Sequence, residues 1–541
     1  MRIIIEKQAL IAFLRRQRWF GGKARELARA RFVDWATLQR GQHPAFLTVV
    51  EADYTDGGRE RYALPLAMSS GTDADAIERH YPGAVLARIT GARKGVLYDG
   101  IFDDATCSTL LASIQEKRRL QARHGTVEAD IIHPGLHGAA VDTLTPITRS
   151  ASDQSNTSVM FGKRLVLKLF RRIESGPNPD VEIGEYLTRR HFARVPPLVG
   201  TISYVPADGS SGIRDPGSGI RDAAVAMLQE FVWNQGNGWQ VTIEELGRYF
   251  ERVASMPVPP DASPDAAHDW AFGKAAEPPP TVAEAIRAYL AIAGVLGRRT
   301  GELHMELAAG TGPAFVPEPY TAADAKTTAD AMYRIANEQL NLLEMSLPRL
   351  DNPHRELAVQ VLEQRDVFMR QFDDLRQLTG GGARIRCHGD YHLGQVLVTE
   401  GDVVILDFEG EPARPLAERR RKCSPLRDVA GMLRSFSYAA LTAVGAATQT
   451  RPEDARRLTP WATLWETWVS AAFLRGYLAA THGGAFLPSK PQTLETLLQA
   501  YVVDKALYEL GYELNNRPEW IHIPLAGMLQ LRSGVTAGRP S

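Results

Sequence analysis

The chain lacks the features that mark a secreted or membrane-spanning protein. Its 541 residues include only 3 cysteines, Cys107, Cys387 and Cys423, and any disulfide scheme leaves one of them unpaired. So few and such scattered cysteines are typical of a reducing compartment. No apolar run approaches the ~18 residues of a membrane span, and the N-terminus lacks the long apolar core of a signal peptide. We therefore expect a cytoplasmic protein with no membrane partner.

The chain also lacks an excess of either charge. Its 62 basic and 63 acidic residues give a formal net charge of -1, so no long-range attraction draws it to nucleic acid or to an anionic membrane. A neutral, polar small molecule fits this balance better. With 541 residues, 44% of them apolar, the chain is too long for one core and is expected to form two or three domains.

A Walker-type phosphate loop is missing as well. Gly21-Gly22-Lys23 resembles the end of such a loop, but Ala24 stands where Ser or Thr should follow. Around this segment, the first ~95 residues alternate apolar and polar positions in short stretches, for example over residues 45–51 and 62–66. This period of two predicts half-buried strands and a small, mostly β module.

A lysine interrupts an otherwise apolar strand pattern at residues 164–170. Lys168 needs a partner if it is buried, because an unpaired ammonium away from water is costly. Glu182 or Glu185 would supply one from a helix starting near Pro179, and a lysine that extends to solvent is the alternative. A small, polar turn is predicted before this strand, with hydroxyls and amides suited to phosphate. It includes Ser155, Asn156, Thr157 and Ser158.

The most informative stretch begins with His388-Gly389-Asp390 and continues to Gln395. A buried strand pattern follows and ends at Asp407. Two carboxylates and an amide at this spacing suit phosphoryl transfer, in which Asp390 orients a hydroxyl and Gln395 and Asp407 hold magnesium. From about residue 282 to the C-terminus, the rest of the chain shows the period of long amphipathic helices.

The order of these features resembles the protein-kinase-like fold: a β-rich lobe with a lysine, a connector, and a helical lobe with Asp, Gln and Asp. The segment from His388 to Gln395 is similar to the catalytic loop of aminoglycoside-phosphotransferase-like kinases, in which the amide is usually asparagine. The resemblance implies an α+β, bilobal protein-kinase-like fold of the aminoglycoside-phosphotransferase type. It has an N-terminal, mostly β cap subdomain and a large helical C-lobe.

Within that superfamily the chain closely resembles the bacterial maltokinases, and the similarity extends over nearly its whole length. The matching segments are residues 17–23, 154–158, 167–172, 178–182, 234–236, 388–435 and 515–518. The resemblance implies a cap subdomain over residues 1–95, a β-rich intermediate subdomain over 96–232 and a helical C-lobe over 233–541. ATP would bind in the cleft between the last two.

The resemblance also implies roles for individual residues, with ATP and Mg²⁺ as cofactors. Lys168 would contact the α- and β-phosphates and pair with Glu182, and Asp390 would be the catalytic residue. His388 and Asp428 would brace the catalytic loop. The remaining nucleotide-binding positions are the turn residues Ser155, Asn156, Thr157 and Ser158 and the connector residues Gln229, Glu230 and Val232.

Sugar recognition needs side chains that bind hydroxyls and stack on ring faces. Those near the motif are Tyr391, His392, Glu409, Glu411 and Arg414, and a late helix adds Tyr501, Lys505, Tyr508 and Tyr512 at helical spacing. For the late tyrosines, packing in the helical core is the alternative explanation.

The function implied is transfer of the ATP γ-phosphate to the anomeric hydroxyl of maltose, feeding α-glucan synthesis from trehalose and maltose. Another small polar acceptor, such as glucosamine or an aminoglycoside, is the alternative within the fold. The alternative from a different class is a non-catalytic partner module of trehalose synthase, with which maltokinases occur joined or complexed. Retention of Lys168, Asp390, Gln395 and Asp407 argues against that last alternative.

Overall fold

The computed structural model describes residues 5–90, 94–133, 144–150, 155–207, 223–258, 263–449 and 452–536. The chain divides into two compact units, Met1–Trp233 and Asn234–Ser541. Strands predominate in the described part of the first unit and helices in that of the second. The expected change from a β-rich to a helical composition is therefore confirmed. The finer division at residues 95 and 232 stays a prediction.

The first unit is built on two antiparallel sheets. Its strands are β1 (Leu27–Gln39), β2 (Ala45–Tyr54), β3 (Arg59–Ser70), β4 (Val85–Ile89), β5 (Gly95–Asp99), β6 (Arg119–Gln121), β7 (Gly125–Ile131), β8 (Ile147–Arg149), β9 (Asn156–Phe161), β10 (Leu165–Phe170), β11 (Arg172–Ile173), β12 (Leu198–Pro206) and β13 (Ala223–Glu230). Its α-helices are α1 (Leu10–Arg16), α2 (Thr72–His80), α3 (Asp104–Gln115) and α4 (Pro179–Arg189). The strands predicted around residues 45–51, 62–66 and 164–170 are confirmed as β2, β3 and β10, and the helix predicted near Pro179 as α4.

The strand order separates a first sheet, β1-β2-β3-β5-β4, from a second, β6-β7-β12-β13-β10-β9-β8. The short strand β11 pairs with β3 and so returns the chain from the second sheet to the first. Along β1, buried positions alternate with half-exposed ones, because successive side chains of a strand point to opposite faces. Residues of both sheets contribute to one hydrophobic core.

A buried arginine between β10 and β11 links the two sheets. The Nη2 of Arg171 lies 2.7 Å from the carboxylate of Asp99 at the end of β5, and its Nε donates to Thr157 in β9 at 2.8 Å. Its guanidinium also stacks on Trp19, 4.7 Å from the ring centroid. Arg171 and Asp99 are almost fully buried, so each charge depends on the other for its compensation.

The second unit is mostly helical and carries two small sheets. Its strands are β14 (Gly236–Asn237), β15 (Glu318–Pro319), β16 (Ala383–Arg384), β17 (Val396–Thr399) and β18 (Asp402–Ile405). Its helices are α5 (Gly238–Val253), α6 (Pro264–Ala271), α7 (Pro280–Ile286), α8 (Ala288–Ala308), α9 (Ala322–Ser346), α10 (Asn352–Glu363), α11 (Arg365–Arg376), α12 (Leu416–Arg419), α13 (Leu426–Thr448), α14 (Ala455–Ala480), α15 (Pro491–Asn516) and α16 (His522–Thr536).

The long helices α8, α13, α14 and α15 form the centre of this unit. Trp461, Trp465 and Trp468 recur along α14 at intervals of four and three residues, and all three are buried. Such spacing places them on one side of the helix. The hairpin of β17 and β18, with β14 on its edge, contacts α5 and α8. This packing fixes the strand that ends just before Asp407.

In the described residues, none of the helices is by itself long and apolar enough to cross a membrane. The pair α7 and α8 passes the test of length and hydropathy only when taken together, and it is bent by 90° at the break.

Replacing Arg171 with methionine should lower the stability of the first unit. The change leaves Asp99 as a buried, uncompensated carboxylate, which costs about 3–5 kcal/mol in other buried pairs. The matched control is Arg172→Met, because Arg172 is exposed and lies 3.6 Å from Glu60. Loss of such a surface pair costs about 0–1 kcal/mol. Urea unfolding followed by the fluorescence of the first unit's tryptophans measures both; equal effects would contradict the role given to Arg171.

Candidate active site

The segment from His388 to Gln395 lies between β16 and β17, and its start is held by His388. The imidazole Nε2 of His388 donates to the carbonyl of Leu406 at 2.7 Å. Its Nδ1 then accepts the backbone N–H of Asp390, at 3.4 Å. A carbonyl can only accept, so this contact fixes the tautomer with the proton on Nε2. One side chain thus connects the segment that carries Asp390 with the strand that leads to Asp407.

Asp428 accepts hydrogen bonds from two consecutive residues of the same loop. Its carboxylate takes the backbone N–H of His388 at 2.7 Å and that of Gly389 at 2.9 Å. A third contact, at 3.2 Å, comes from Nε2 of His304 on α8. The bracing role that was predicted for Asp428 from the sequence requires these contacts.

The position of Asp428 favours its ionised form. Burial alone would raise its pKa, but the hydrogen bonds from His304 and the backbone, together with nearby histidines, lower the pKa of Asp428 overall. The residue also lies in the first turn of α13, where the helix dipole favours a negative charge. The carboxylate is therefore stable as an anion although it is buried.

Helix α13 approaches the loop very closely at Gly431. A Cβ atom at this position would lie 2.5 Å from the carbonyl oxygen of Tyr391, closer than real Cβ contacts allow. At Gly389 the backbone has a φ of +87°, a conformation that favours glycine. The two glycines allow the loop to turn tightly against the helix that carries Asp428.

Gln395 and Asp407 face each other across the next hairpin. The amide Nε2 of Gln395 donates to a carboxylate oxygen of Asp407 at 2.9 Å. Asp407 has a φ of +66°, a left-handed conformation that is uncommon outside glycine and for which aspartate is enriched. A carboxylate and an amide oxygen are ligands suited to Mg²⁺. The residue types and their proximity therefore fit a magnesium site.

Asp390 is paired with a lysine from a distant helix. Nζ of Lys505 on α15 lies 3.3 Å from Asp390 Oδ1 and 3.4 Å from Glu411 Oε1. Burial alone would lower the pKa of Lys505, but the two carboxylates raise it overall. Lys505 therefore stays protonated and provides a fixed positive charge beside Asp390.

Glu411 is the centre of the neighbouring ion pairs. Besides Lys505, it contacts Arg414 and lies 3.1 Å from Nη2 of Arg427. Burial works against ionisation of Glu411, but Arg427, Lys505 and Arg414 together lower its pKa to about 2. The glutamate is thus fully ionised at neutral pH and surrounded by cations.

The structure brings many of the predicted sugar residues to one cavity in the second unit. Its lining includes Asp390, Tyr391, Glu411, Arg414, Tyr501, Lys505 and Tyr508. The hydroxyl of Tyr391 is turned to Thr300, at 2.9 Å. The three other predicted sugar residues lie elsewhere in the described part of this unit, and they are His392, Glu409 and Tyr512.

These three residues have other surroundings. The Nδ1 of His392 accepts the backbone N–H of Gly394 at 3.0 Å. The carbonyl of Glu409 accepts from Nη1 of Arg419 at 3.2 Å. Tyr512 is 43% exposed and stacks under Arg517. Their sugar contacts, like those of the cavity residues, stay predictions.

The predicted nucleotide-binding lysine of the first unit pairs with an aspartate. Nζ of Lys168 lies 2.7 Å from Asp180 Oδ2, and Asp180 stands in the first turn of α4. The partners predicted for Lys168 from the sequence were Glu182 or Glu185, and Asp180 was not among them. Glu182 is buried in the same turn, and its predicted pairing with Lys168 stays a prediction. Glu185 instead pairs with Arg189, at 2.5 Å.

The predicted polar turn before β10 is wrong for three of its residues. Asn156, Thr157 and Ser158 belong to β9, where Ser158 is directly opposite Lys168. Pairing with β10 has overridden the local preference of these small polar residues for a turn. Of the rest of the motif, Ser155 is exposed before the strand, and Gln154 lies outside the described residues.

The predicted connector follows the end of β13. Gln229 and Glu230 are the last two residues of β13, and they pair with Val166 and Leu165 of β10. The strand therefore ends before Val232, and Phe231 still donates its backbone N–H to Arg164 at 2.8 Å. Contact of Gln229, Glu230 and Val232 with adenine stays a prediction.

Three residues of the site were not predicted from the sequence to lie there. Asp504 and Arg427 line the cavity, and His304 contacts Asp428. Asp504 had a usable signal, because it lies at helical spacing from Tyr501 and Tyr508. His304 had none, since 124 residues separate it from Asp428.

Comparison with known proteins gives two family matches. Residues 13–103 match the maltokinase N-terminal cap domain, and residues 243–461 match the phosphotransferase enzyme family. Among curated relatives, the glucosamine kinase of Mycolicibacterium smegmatis (strain ATCC 700084 / mc(2)155) is 24% identical over 379 residues, which are 70% of this chain and 77% of that protein. The glucosamine kinase of Streptacidiphilus jiangxiensis is 23% identical over 431 residues, 78% of this chain and 80% of the relative.

Solved structures share the fold. A glucosamine kinase in complex with glucosamine, ADP and inorganic phosphate has a TM-score of 0.57 and 19% identity, with 93% of each chain covered. A second crystal form of glucosamine kinase has a TM-score of 0.59 and 19% identity, with 95% of this chain and 96% of the other covered. The aminoglycoside-phosphotransferase type of fold, with its β-rich N-terminal region and helical C-terminal part, is thereby confirmed.

Replacing Asp428 with asparagine should destabilise the second unit in a pH-dependent way. The amide has one acceptor oxygen in place of two, and each lost hydrogen bond to a charged group costs about 1.5–3 kcal/mol. Because folding lowers the pKa of Asp428, its contribution is fully present above the unfolded carboxyl pKa of about 4 and is lost as the pH falls through the folded pKa. Urea unfolding measured from pH 7 down to pH 2 should show a difference between the two proteins that is constant above about pH 4 and decreases progressively as the pH falls below it. A difference that does not change with pH would contradict this assignment.

Proposed function

We propose that the chain is an ATP-dependent maltokinase, since residues 243–461 match the phosphotransferase enzyme family and residues 13–103 match the maltokinase N-terminal cap domain. It transfers the γ-phosphate of ATP to the anomeric hydroxyl of maltose, giving maltose 1-phosphate and ADP. The observation that carries the proposal is Asp390, paired with Lys505, at the edge of a cavity lined by carboxylates and cations. Phosphoryl transfer depends mostly on positioning and charge neutralisation, and this arrangement supports both.

Asp390 accepts the hydrogen bond of the acceptor hydroxyl and orients its oxygen toward the γ-phosphate. Lys505, 3.3 Å away, restricts the position of the carboxylate. In a loose transition state the proton leaves late, so orientation by Asp390 contributes more than its basicity. The hydrogen bonds that Asp428 accepts from His388 and Gly389 hold the backbone beside it.

Gln395 and Asp407 are the residues that would hold Mg²⁺. When bound there, the ion neutralises charge on the transferred phosphoryl group. In the first unit, Lys168 contacts the α- and β-phosphates, and Asp180 and Glu182 of α4 keep its side chain in place. Ser155, Asn156, Thr157 and Ser158 cover the nucleotide. Gln229, Glu230 and Val232 lie along its adenine. The ADP complex of the structurally similar glucosamine kinase supports the use of an adenine nucleotide.

Maltose is preferred to an aminosugar because residues 13–103 match the maltokinase N-terminal cap domain. Charge does not decide between the two, since the carboxylates of Asp390, Glu411, Asp428 and Asp504 line the cavity with the cations of Arg414, Arg427 and Lys505. Glucosamine is the second candidate, because the curated relatives are glucosamine kinases. Association with trehalose synthase stays a prediction.

The proposal is tested by ADP release with ATP and Mg²⁺ across maltose, glucose, glucosamine, trehalose and kanamycin, with phosphorus NMR to locate the new phosphate. We expect turnover with maltose and an anomeric phosphate on the product.

The variant Asp390→Asn serves as the blank. It should lose phosphoryl transfer by a factor of about 10³ or more while ATP binding is nearly unchanged. Asp366→Asn, an exposed change on α11, should behave as wild type. Phosphorylation of glucosamine but not maltose would replace the proposal by its second candidate. No turnover with any acceptor would favour the partner-module alternative.

Replacing Lys168 with alanine should weaken the handling of ATP more than that of the sugar. Loss of a charge that contacts phosphates should raise the KM for ATP by about 10-fold or more and change the KM for maltose by less than about 2-fold. The matched control is Lys163→Ala, because Lys163 is exposed in the turn of the same β9–β10 hairpin. An unchanged dependence on ATP would assign Lys168 a structural role instead.

A further inference from the structure

Asp504 lies on the face of α15 that borders the cavity beside Asp390. Tyr501, Asp504, Lys505 and Tyr508 recur at intervals of three, one and three residues, which places them on one side of the helix, and all four line the cavity. The pairing of Lys505 with Asp390 shows how near this face is to the reacting position proposed above.

Asp504 differs from the other carboxylates of the cavity in its contacts. Glu411 pairs with Arg414, Arg427 and Lys505, Asp390 pairs with Lys505, and Asp428 accepts two backbone N–H groups. For Asp504, no hydrogen bond or ion pair is found within the described ranges. Its carboxylate oxygens are thus acceptors without a donor on the cavity wall.

The carboxylate of Asp504 is half-buried where it borders the cavity. Partial burial raises the pKa of Asp504 to about 6, against the opposing effect of Arg427. An acceptor that faces a cavity and has no donor among the described residues is available to a bound molecule that supplies donors.

We propose that Asp504 is a specificity-determining residue that accepts hydrogen bonds from hydroxyl groups of the acceptor sugar. This inference rests on the proposed function and names the group that recognises its substrate. The ligand is a sugar with adjacent hydroxyls, because two such hydroxyls can donate to the two oxygens of one carboxylate. A site built to bind a hydroxyl rejects an analogue that lacks it, because the acceptor is then left unpaired.

The test is the steady-state kinetics of Asp504→Asn with maltose and ATP varied separately. The asparagine keeps the shape of the side chain but loses the charge, so the KM for maltose should rise by about 10-fold or more. The KM for ATP should stay within about 2-fold of wild type. Asp504→Glu, which keeps a carboxylate, should retain more affinity for maltose than Asp504→Asn. The matched control is Glu495→Gln, since Glu495 is a partly exposed carboxylate on the same helix and pairs with His268 at 3.3 Å.

A pH profile separates recognition by Asp504 from a structural effect. The charged groups around Asp504 are Arg427 from α13, Glu411 and Arg414 from the segment after β18, and Lys505 from its own helix. Among them, the pKa of Glu411 is about 2, and those of Arg427 and Lys505 are raised, so none of these three titrates near pH 6. The wild-type KM for maltose should therefore rise as the pH falls below about 6, and this rise should be absent in Asp504→Asn.

The outcomes distinguish the two proposals. If the wild type phosphorylates maltose and Asp504→Asn has the same KM for maltose and the same pH profile, the role of Asp504 is overturned and the proposed function stands. If the wild type turns over no sugar, both are overturned. Thermal unfolding of each variant checks that it is folded. If Asp504→Asn does not fold, the wild-type pH profile decides: a KM for maltose that does not rise as the pH falls below about 6 would overturn the role of Asp504.

Discussion

The loop of residues 388–395 depends on one buried carboxylate. Asp428 satisfies the backbone N–H groups of His388 and Gly389, which have no strand partner in a region where unpaired donors are costly. His388, held in this way, reaches Leu406 with its ring. The positions of Asp390 and of Asp407 thus follow from the same anchoring point, one through the loop and the other through the strand before it. A substitution of Asp428 that removes these hydrogen bonds would therefore displace both Asp390 and Asp407.

The cavity beside the loop follows a second constraint, which is that charges removed from water need opposite charges close by. Lys505 joins Asp390 to Glu411, and Glu411 joins Lys505 to Arg427. The resulting chain of alternating charges runs from the loop to helices α13 and α15. Two further carboxylates line the cavity outside this chain, Asp428 and Asp504. Asp428 accepts backbone hydrogen bonds, whereas Asp504 has no such contact within the residues described.

The parts of the fold that the sequence predicted are those with a local pattern. Period-two alternation predicted β2, β3 and β10, and helical spacing predicted the helix that carries Tyr501 and Lys505. The catalytic loop was predicted from its motif, because its residues lie within a few positions of one another. The roles of its side chains remain predictions, although the structure brings them together.

What the sequence did not predict depends on contacts between distant segments. His304 reaches Asp428 across 124 residues, and no local signal marks it. Asp180 pairs with Lys168, although Glu182 stands in the same first turn of α4 and Glu185 follows one turn later. Residues 156–158 have the composition of a turn, yet the hydrogen bonds of β10 draw them into a sheet. In each case tertiary structure decides between locally similar possibilities.

The contacts of Arg171 limit which segments of the first unit can be exchanged separately in evolution. Its charge is compensated by Asp99, its ring-stacking partner is Trp19, and both lie in the segment that matches the cap domain. Arg171 itself follows the strand of Lys168. A recombination event that exchanged the cap for one with an uncharged residue in place of Asp99 would bury an arginine without its counter-ion, and one with a small residue in place of Trp19 would remove its stacking partner. The cap and the strand of Lys168 are therefore expected to be exchanged between relatives only together, as a single evolutionary unit.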